Sequence, residues 1–302
     1  MHAHELSIII PFYKGERFIV RLLTSIFSAY ERNNGGCVIE IIIIIDCELP
    51  VNCLQQLLDK FLSNKELSKI HTYKNERNYG VAETRNIGFD LSTGEYLLFI
   101  DQDDAISDTF FYYVSKYLGE KDFIFFNGKI KEIESGIEHR LYYLAPKLNV
   151  KKVILKSFIR SPGQVILKRT ILSKPLFPAT TYHFGADDKF FWIKIFLTNK
   201  KLKIVYIPEC LYIAYKHSGN YSNDYKELSL SCLELWKQFS LQLDQGGIQR
   251  WVKRDIRIQR YIIGDFFSAK DKIRCLMDFL AHKIDINSTI RFSIKKMKGL
   301  FK

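Results

Sequence analysis

The first hundred residues alternate between strand-like and helix-like segments, and this alternation constrains the fold more than any other feature of the chain. Strand-like runs of large or β-branched apolar residues lie at 6–13, 38–45, 69–75 and 95–100. Segments with apolar residues at helical spacing lie between them, at 16–30, 53–62 and 82–93. An alternation of this kind predicts a parallel sheet with helices on both of its faces.

The pattern changes after residue 110. Residues 121–144 predict strands joined by a turn at 134–136, residues 184–200 predict a helix with an acidic first turn, and residues 201–218 predict a pair of strands. Beyond about residue 224 the chain has helical patterns only. We therefore expect an α/β protein whose mixed, mostly parallel sheet is flanked by helices and followed by a helical C-terminal extension.

Three aspartates follow the last of the early apolar runs. Asp101, Asp103 and Asp104 occupy three of the four positions after residue 100. Carboxylates packed this closely repel one another unless a cation lies between them. In open α/β sheets ligands bind beyond the carboxyl ends of the strands, and Pro11 and Asp46 lie at two other such ends. The sequence therefore predicts a cation-dependent ligand site at this edge.

Basic residues are concentrated near the C-terminus. The chain has a net charge of +12, and residues 250–302 carry 14 Lys or Arg against 5 Asp, a net of +9. Cationic, apolar and aromatic residues are interleaved in this segment. Three interpretations stay open: contact with an anionic membrane surface, nucleic-acid binding, or a solvated helical bundle. No recognised nucleic-acid motif is present, so no nucleic-acid partner is expected.

The cysteines and the apolar runs bear on the cellular location. Six scattered cysteines without a CxxC pair suit reduced thiols rather than a disulfide framework or a zinc site. The longest apolar runs, such as Ile41–Ile45, are far shorter than the roughly 20 residues that cross a bilayer. We expect a cytoplasmic protein, with peripheral contact at the inner face of the membrane as an open alternative.

Three segments in order, IIIPFYKGE, EIIIIID and NERNYGVAETRNIGFDLSTGEYLLFIDQDD, carry a resemblance to a known family. They resemble the nucleotide-sugar-binding half of family 2 glycosyltransferases, which are inverting enzymes with the GT-A fold. The resemblance covers about the first 110 residues and continues more weakly to about 220. It implies a catalytic domain over 1–222, with a donor half at 1–110 and an acceptor half at 111–222, followed by a helical basic region at 223–302.

The resemblance implies a metal-dependent donor site. Asp103 would be a direct ligand of Mn²⁺ or Mg²⁺, Asp101 would face the ribose or the metal, and His217 is a weaker candidate ligand. Asp104 either orients its neighbour or begins a helix. The implied donor-binding residues are Pro11, Tyr13, Glu16, Asp46, Asn78, Arg85, Asp101, Gln102 and Lys216. Cys47, Glu48 and Leu49 depart from the family's usual second acid, Gly and Ser, so the nucleotide contacts are expected to differ here.

The resemblance implies fewer residues on the acceptor side of the site. Inverting displacement needs a base that takes the proton of the acceptor hydroxyl. By resemblance Asp188 is the first candidate and Asp187 the second, although both would also suit the first turn of a helix on electrostatic grounds alone. Gln164 is a candidate for acceptor binding.

The function that the resemblance implies is transfer of a hexose or N-acetylhexosamine from a UDP-sugar to a glycan or lipid-linked glycan in polysaccharide biosynthesis. One alternative is a non-catalytic glycosyltransferase-like module that serves in assembly. Another is a nucleotidyltransferase, which would normally show a glycine-rich, lysine-bearing loop after the first strand. The sequence PFYKGE has one glycine and one lysine and does not match that loop.

Overall fold

The computed structural model describes residues 5–33, 36–146, 148–156, 158–182, 185–216, 224–240 and 248–282. His217 lies outside the described residues. The chain forms two compact units. The first contains Met1–Tyr142, Arg160–Phe177 and Asn199–Gly219, and the second contains Tyr143–Ile159, Pro178–Thr198 and Asn220–Lys302. The predicted functional division at residue 222 is a separate claim and stays a prediction.

The first unit contains one nine-stranded sheet and the helices that flank it. Its strands are β1 (Glu5–Phe12), β2 (Val38–Ile45), β3 (Ile70–Lys74), β4 (Tyr96–Phe99), β5 (Ala105–Ile106), β6 (Phe123–Glu132), β7 (Glu138–Arg140), β8 (Val165–Lys168) and β9 (Ile204–Lys216). Its helices are α1 (Glu16–Arg32), α2 (Val51–Leu58), α3 (Asn64–Leu67), α4 (Val81–Leu91) and α5 (Phe110–Val114). The strand order is β3-β2-β1-β4-β8-β6-β9-β5, with β7 paired to β6.

The sheet is mixed, and its longer ladders are parallel. β1 runs parallel to β2 and β4, β2 to β3, and β6 to β9, each through four or more residue pairs. The antiparallel ladders of β8, β5 and β7 each join three pairs or fewer. The predicted mixed, mostly parallel sheet with flanking helices is therefore confirmed. The carboxyl ends of β1, β2 and β4 lie side by side.

Both faces of the central strands are buried, which explains their continuous apolar runs. Ile8 and Ile10 of β1 belong to one buried cluster with Leu22 and Ile26 of α1. Ile9 points to the other face, where a Cβ added to Gly88 of α4 would lie only 2.4 Å from its Cγ2 atom. The missing side chain at position 88 thus lets α4 approach the sheet closely.

The described part of the segment 201–218 contains one strand, so the prediction of a strand pair there is wrong. β9 is continuous from Ile204 to Lys216, but its pairing with β6 shifts register on both sides of Asn127. Pro208 lies in the irregular part, where its lack of an N–H removes a ladder hydrogen bond. Asn127 donates its side-chain amide to the Pro208 carbonyl at 3.2 Å. A bulge therefore accommodates Pro208 within a single strand.

The second unit is helical in its described part. It contains α6 (Val150–Lys156), α7 (Asp187–Thr198), α8 (Tyr225–Ser240), α9 (Gln249–Ile263) and a further helix, α10, at 269–282. Trp236 of α8 packs on Phe190 of α7 with ring centroids 4.6 Å apart. Val252 and Ile258 of α9 are buried. The predicted helical C-terminal extension is confirmed.

None of the helices that the structure describes is both long and apolar enough to cross a membrane.

Candidate functional site

The acidic loop, defined here as Asp101–Asp104, begins directly after β4 at the carboxyl edge of the sheet. The Asp101 side chain is 34% exposed, and its Oδ1 accepts a hydrogen bond from Nη2 of Arg85 at 2.7 Å. Arg85 is a buried residue of α4, and its guanidinium also lies over the ring of Phe177. A buried cation thus fixes one carboxylate while leaving part of it open to solvent.

Gln102 joins the acidic loop to the loop that follows β1. Its Oε1 accepts from the Tyr13 backbone N–H at 2.9 Å, and its Nε2 donates to the Tyr13 carbonyl at 2.8 Å. The amide therefore pairs with Tyr13 as a neighbouring strand would. A Cβ on Gly15 would lie 2.1 Å from Gln102 Oε1, so only glycine leaves room for this arrangement. The intervening Lys14 has a φ of 49°, a strained value for a residue with a side chain.

Asp103 is held through its backbone. Its carbonyl accepts from Nη2 of Arg21 on α1, and the Arg21 guanidinium stacks 3.6 Å from the centre of the Tyr215 ring on β9. Arg21 therefore ties the loop to α1 and β9.

Asp104 is buried, and its carboxyl group contacts β9. Its Oδ2 accepts from the Tyr212 hydroxyl at 2.6 Å, and the Tyr215 backbone N–H donates to the same carboxyl group. Burial, together with the charges of Asp101 and Asp103, raises the pKa of Asp104 well above its ordinary value. Burial and the Asp104 carboxylate likewise raise the pKa of Tyr212. Asp104 thus does not begin a helix; it anchors the loop to β9.

Asp46, at the end of β2, organises the segment that precedes α4. Its Oδ1 accepts from the Asn75 side chain at 2.7 Å and from the Tyr79 N–H at 2.8 Å, and its Oδ2 accepts from the Gly80 N–H at 2.9 Å. Asn78 Oδ1 accepts from the same Gly80 N–H. Gly80 has a φ of 82°, which glycine adopts at no steric cost.

Three further residues of the segment 78–88 also have distinct structural roles. Asn86 pairs with the Phe177 backbone in both directions, with Nδ2 donating at 2.9 Å and Oδ1 accepting at 2.9 Å. Arg85 holds Asp101, and Gly88 permits close packing on β1. The segment thus contacts Asp46, Phe177 and β1, and through Arg85 it also holds Asp101 of the acidic loop.

Four other predicted residues lie at different depths in the first unit. Pro11 is buried in β1 opposite Ile44 of β2, and Glu16 is exposed at the start of α1. Lys216 ends β9 and lies 3.5 Å from Glu132. Gln164 is fully buried, accepting from the Arg160 N–H at 2.8 Å and donating to the Phe126 carbonyl at 3.4 Å. These contacts give Gln164 a structural role, and its role in acceptor binding stays a prediction.

Asp187 and Asp188 belong to the second unit, in the first turn of α7. Asp187 is buried and Asp188 is half-buried. The segment before them is held by α8, because the Ser231 hydroxyl accepts from the Ala186 N–H at 2.9 Å and Glu234 accepts from the Thr180 hydroxyl at 2.7 Å. The next residue of α7, Lys189, lies 2.6 Å from Asp255 of α9. Both candidate bases are therefore on a firmly held helix.

The donor atoms of the acidic loop suit a hard divalent cation. Carboxylate oxygens of Asp101 and Asp103 are ligands that Mg²⁺ and Mn²⁺ prefer. Within the described ranges, no group of three or more His, Cys, Asp or Glu side chains is arranged to hold a metal ion. Cations of this kind ordinarily bind through one or two carboxylates plus substrate phosphates, so the residues fit a metal that arrives with a diphosphate.

Sequence reasoning missed several residues that shape this site. Arg21 and Tyr212 contact the acidic loop from 82 and 108 residues away in the chain. Tyr215 and Asn75 were equally unassigned. A signal was available for Tyr215, because it begins the YKHSGNYSND segment in which a Tyr-Arg pair is common among the enzymes that the chain resembles. Arg21 and Tyr212 had no local signal.

A family model and several known proteins match this chain. The model described as glycosyl transferase family 2 matches residues 7–175. An uncharacterized glycosyltransferase of Haemophilus influenzae is 25% identical over 173 residues, which are 56% of this chain and 54% of that protein. The poly(ribitol-phosphate) β-N-acetylglucosaminyltransferase TarS of Staphylococcus aureus is 23% identical over 224 residues, 71% of this chain and 36% of TarS. The chain thus matches about half of the first relative and about a third of the second.

A solved structure supports the fold. The crystal structure of S. aureus TarS 1–349 in complex with UDP-GlcNAc superposes with a TM-score of 0.59 at 17% identity, covering 94% of this chain and 92% of that one. The mixed sheet with its flanking helices is therefore the GT-A fold.

Proposed function

The chain belongs to glycosyl transferase family 2, and on that premise we propose that it transfers a hexose or N-acetylhexosamine, with inversion, from a UDP-sugar to a glycan or lipid-linked glycan acceptor. The observation that carries this proposal is the acidic loop at the carboxyl edge of parallel strands, with Asp101 held by Arg85 and Asp103 held through its backbone by Arg21. A binding edge of this kind suits a diphosphate accompanied by a cation.

The donor side of the mechanism rests on residues of the first unit. Asp103, with Asp101 as a second ligand, would hold Mn²⁺ or Mg²⁺. When bound, the cation neutralises negative charge on the leaving diphosphate. Arg85 orients Asp101, and Gln102 fixes the loop around Tyr13, where the nucleoside would bind near Asp46 and Asn78. Lys216, and His217 beyond the described residues, are proposed to approach the diphosphate.

The acceptor side rests on the second unit. Asp188, with Asp187 as the alternative, would take the proton of the acceptor hydroxyl as its oxygen attacks the anomeric carbon. An α-helix N-terminus favours the ionised carboxylate that a base requires. The base must be ionised before the reaction, so this position supports the assignment.

TarS suggests where to begin with donor and acceptor. Its structure contains UDP-GlcNAc and its name describes transfer of N-acetylglucosamine to a poly(ribitol-phosphate). We therefore propose UDP-N-acetylhexosamines as the first donors to test for this chain, and surface polysaccharide assembly at the cytoplasmic face of the membrane as its setting.

The first experiment is calorimetric titration of UDP into the full chain, with and without Mn²⁺. We expect binding that requires Mn²⁺ and that falls at least tenfold in Asp103→Ala. Asp108→Ala is the matched control, because Asp108 lies nearby in sequence but is exposed and paired with Arg32. Equal loss in both variants, or no UDP binding at all, would contradict the donor assignment, and GDP, CDP and dTDP would be titrated next.

A second experiment tests turnover. UDP-sugars are supplied with lipid-linked acceptors, and the anomeric configuration of the product is determined by NMR. We expect inversion, and we expect kcat to fall about 10²–10⁴-fold in Asp188→Asn with UDP affinity unchanged. The same loss in Asp187→Asn alone would move the base to Asp187. UDP binding without turnover on any acceptor would favour a non-catalytic assembly module.

A further inference from the structure

Helix α10, residues 269–282, has one face committed to packing within the second unit. Cys275 is buried on this face. Asp271 lies 2.6 Å from Arg260, and Asp278 lies 2.5 Å from Arg257, both on α9. The Phe279 ring stacks on Tyr261 with centroids 4.7 Å apart. These residues follow the i, i+4, i+7, i+8 spacing of one helix face, so α10 is docked on α9.

The opposite face of α10 exposes large apolar side chains. Ile273 is 62% exposed, Met277 is 62% exposed and Leu280 is 44% exposed. Their i, i+4, i+7 spacing places them in one stripe. Phe267, just before the helix, is 84% exposed, the highest value among the large apolar side chains that the structure describes as exposed. We call Phe267, Ile273, Met277 and Leu280 the apolar stripe. Exposed apolar residues grouped in this way mark an interaction surface.

The charges around the apolar stripe have one sign. Lys270 and Arg274 lie on the same side of α10 as the stripe, and both are exposed, as is Lys272. The three aspartates between 262 and 282 are each ion-paired with an arginine of α9. The acids are therefore neutralised, and the outer surface of α10 presents cations beside apolar groups.

We propose that the apolar stripe of α10 is a surface that docks on an anionic lipid bilayer. Apolar side chains flanked by Lys and Arg suit insertion at the headgroup boundary combined with attraction to anionic lipids. A second copy of the chain would bring Lys270 and Arg274 against like charges in a two-fold contact. The residues after 282 include six further Lys or Arg and one Asp, so that segment also lacks the complementary charge.

This inference goes beyond the proposed function and does not depend on it. It also separates two parts of the basic region that the sequence pattern treats alike. In α9 the apolar residues Val252 and Ile258 are buried, and Arg254, Arg257 and Arg260 are ion-paired, so α9 packs as a bundle helix. In the described part of this region, α9 exposes one large apolar side chain, Ile262 at 38%, whereas α10 exposes three in one stripe.

The test is co-sedimentation of the full chain with vesicles of phosphatidylcholine alone or with about 30% phosphatidylglycerol. We expect binding to the anionic vesicles, and at least a tenfold loss of affinity in the double variant Ile273→Ser/Met277→Ser. Lys270→Gln/Arg274→Gln should lose about 25-fold, since each of the two cations near an anionic surface contributes about fivefold. Phe61→Ser is the matched control, because Phe61 is 60% exposed but lies in the first unit.

Two controls keep the outcomes distinct. All variants replace exposed side chains, so their melting temperatures and UDP affinities should equal those of the wild type. Vesicle binding that survives Ile273→Ser/Met277→Ser and disappears in high salt would overturn the proposal, because charge outside the stripe would then be responsible. Absence of vesicle binding, with a dimer that the same double variant converts to a monomer, would identify a second copy as the occupant and would also overturn it.

Discussion

The side-chain amide of Gln102 makes a backbone-like pair of hydrogen bonds at the carboxyl edge of the sheet. Its oxygen and nitrogen pair with the N–H and carbonyl of Tyr13, extending the contact between the ends of β1 and β4 beyond the last ladder residue. This explains why a neutral residue lies between Asp101 and Asp103. A fourth carboxylate, at position 102, would offer no donor to the Tyr13 carbonyl.

The position of the Gln102 side chain depends on the absence of a side chain at Gly15, and this dependence can be tested. In Gly15→Ala the new Cβ would occupy the position of Gln102 Oε1, so the pairing with Tyr13 should be lost. We expect UDP affinity, measured by calorimetry, to fall about fivefold to tenfold, which corresponds to about 1 kcal/mol for lost hydrogen bonds. Gln102→Ala should lose a similar amount. The double variant should lose no more than Gln102→Ala alone, and additive losses would contradict this explanation.

Among the elements, the amino end of β2 is joined to the turn before β4 by Glu40. Its Oε1 accepts from the Ser7 hydroxyl and from the backbone N–H groups of Thr93 and Gly94. Burial alone would raise the pKa of Glu40, but these hydrogen bonds outweigh it and the pKa is lowered. A carboxylate that is more acidic in the folded state stabilises that state only while it is ionised.

The stability of this junction should therefore depend on pH. The contribution of Glu40 is complete above the unfolded pKa of about 4.3 and is lost as pH falls through the lower folded value. We expect Glu40→Gln to reduce the free energy of unfolding by about 1–3 kcal/mol at pH 7. The difference from wild type should shrink below about pH 4. Urea denaturation at several pH values measures this, with the exposed Glu120→Gln as control. A pH-independent difference would contradict it.

Helices α7 and α9 are joined by the buried pair of Lys189 and Asp255, whose side chains are 12% and 3% exposed. Burial alone would lower the pKa of Lys189, but Asp255 and Cys232 raise it to about 12, so the lysine stays charged. Trp236 also donates to Asp255 at 2.7 Å. The pair thus fixes the helix that begins with the two candidate bases.

Removing one partner of this pair should be costly. We expect Lys189→Met to reduce the free energy of unfolding by about 3–5 kcal/mol, because Asp255 would stay buried without its cation. Lys189→Met/Asp255→Asn should recover most of that loss, since the neutral amide oxygen can still accept from Trp236. Urea denaturation of the three proteins decides this. A double variant less stable than Lys189→Met would show that Asp255 has a stronger role than charge compensation.

The local sequence pattern predicted a helix or strand well where that helix or strand corresponds to a single run of apolar or helically spaced residues. Each early strand and helix lies within a few residues of its predicted range, because β-branched runs and helical spacing report burial directly. The failure at β9 has a specific cause, since a proline inside a strand and a proline in a turn look alike in sequence. The contacts of Arg21 and Tyr212 were not predictable, because they depend on which distant strand lies beside the acidic loop.

At the scale of the whole molecule, the six cysteines report how completely the chain is folded. All six are free, and only Cys53 is exposed, whereas Cys37, Cys232 and Cys275 are buried. Burial raises the pKa of Cys37 and of Cys232 to about 12. A thiol reacts as its thiolate, so both factors make these residues inert.

Thiol labelling of the native protein at pH 8 should therefore proceed in stages. Cys53 is expected to react first, the half-buried Cys47 and Cys210 more slowly, and the three buried thiols only after denaturant is added. Mass spectrometry of labelled peptides identifies the sites, and Cys53→Ser should remove the fast phase alone. Rapid labelling of Cys232 in the native protein would contradict the packing of α8 on α7 and α9.

The contact between Asp104 and Tyr212 also bears on how the protein is made. The two residues are 108 positions apart in the chain. A ribosome adding about 5–20 residues per second needs about 5–20 seconds to travel that distance. Throughout this interval the nascent chain already contains all three aspartates of the acidic loop, but not the strand that anchors them. The acidic loop is therefore anchored only once β9 has been made, well after the parallel strands beside the loop.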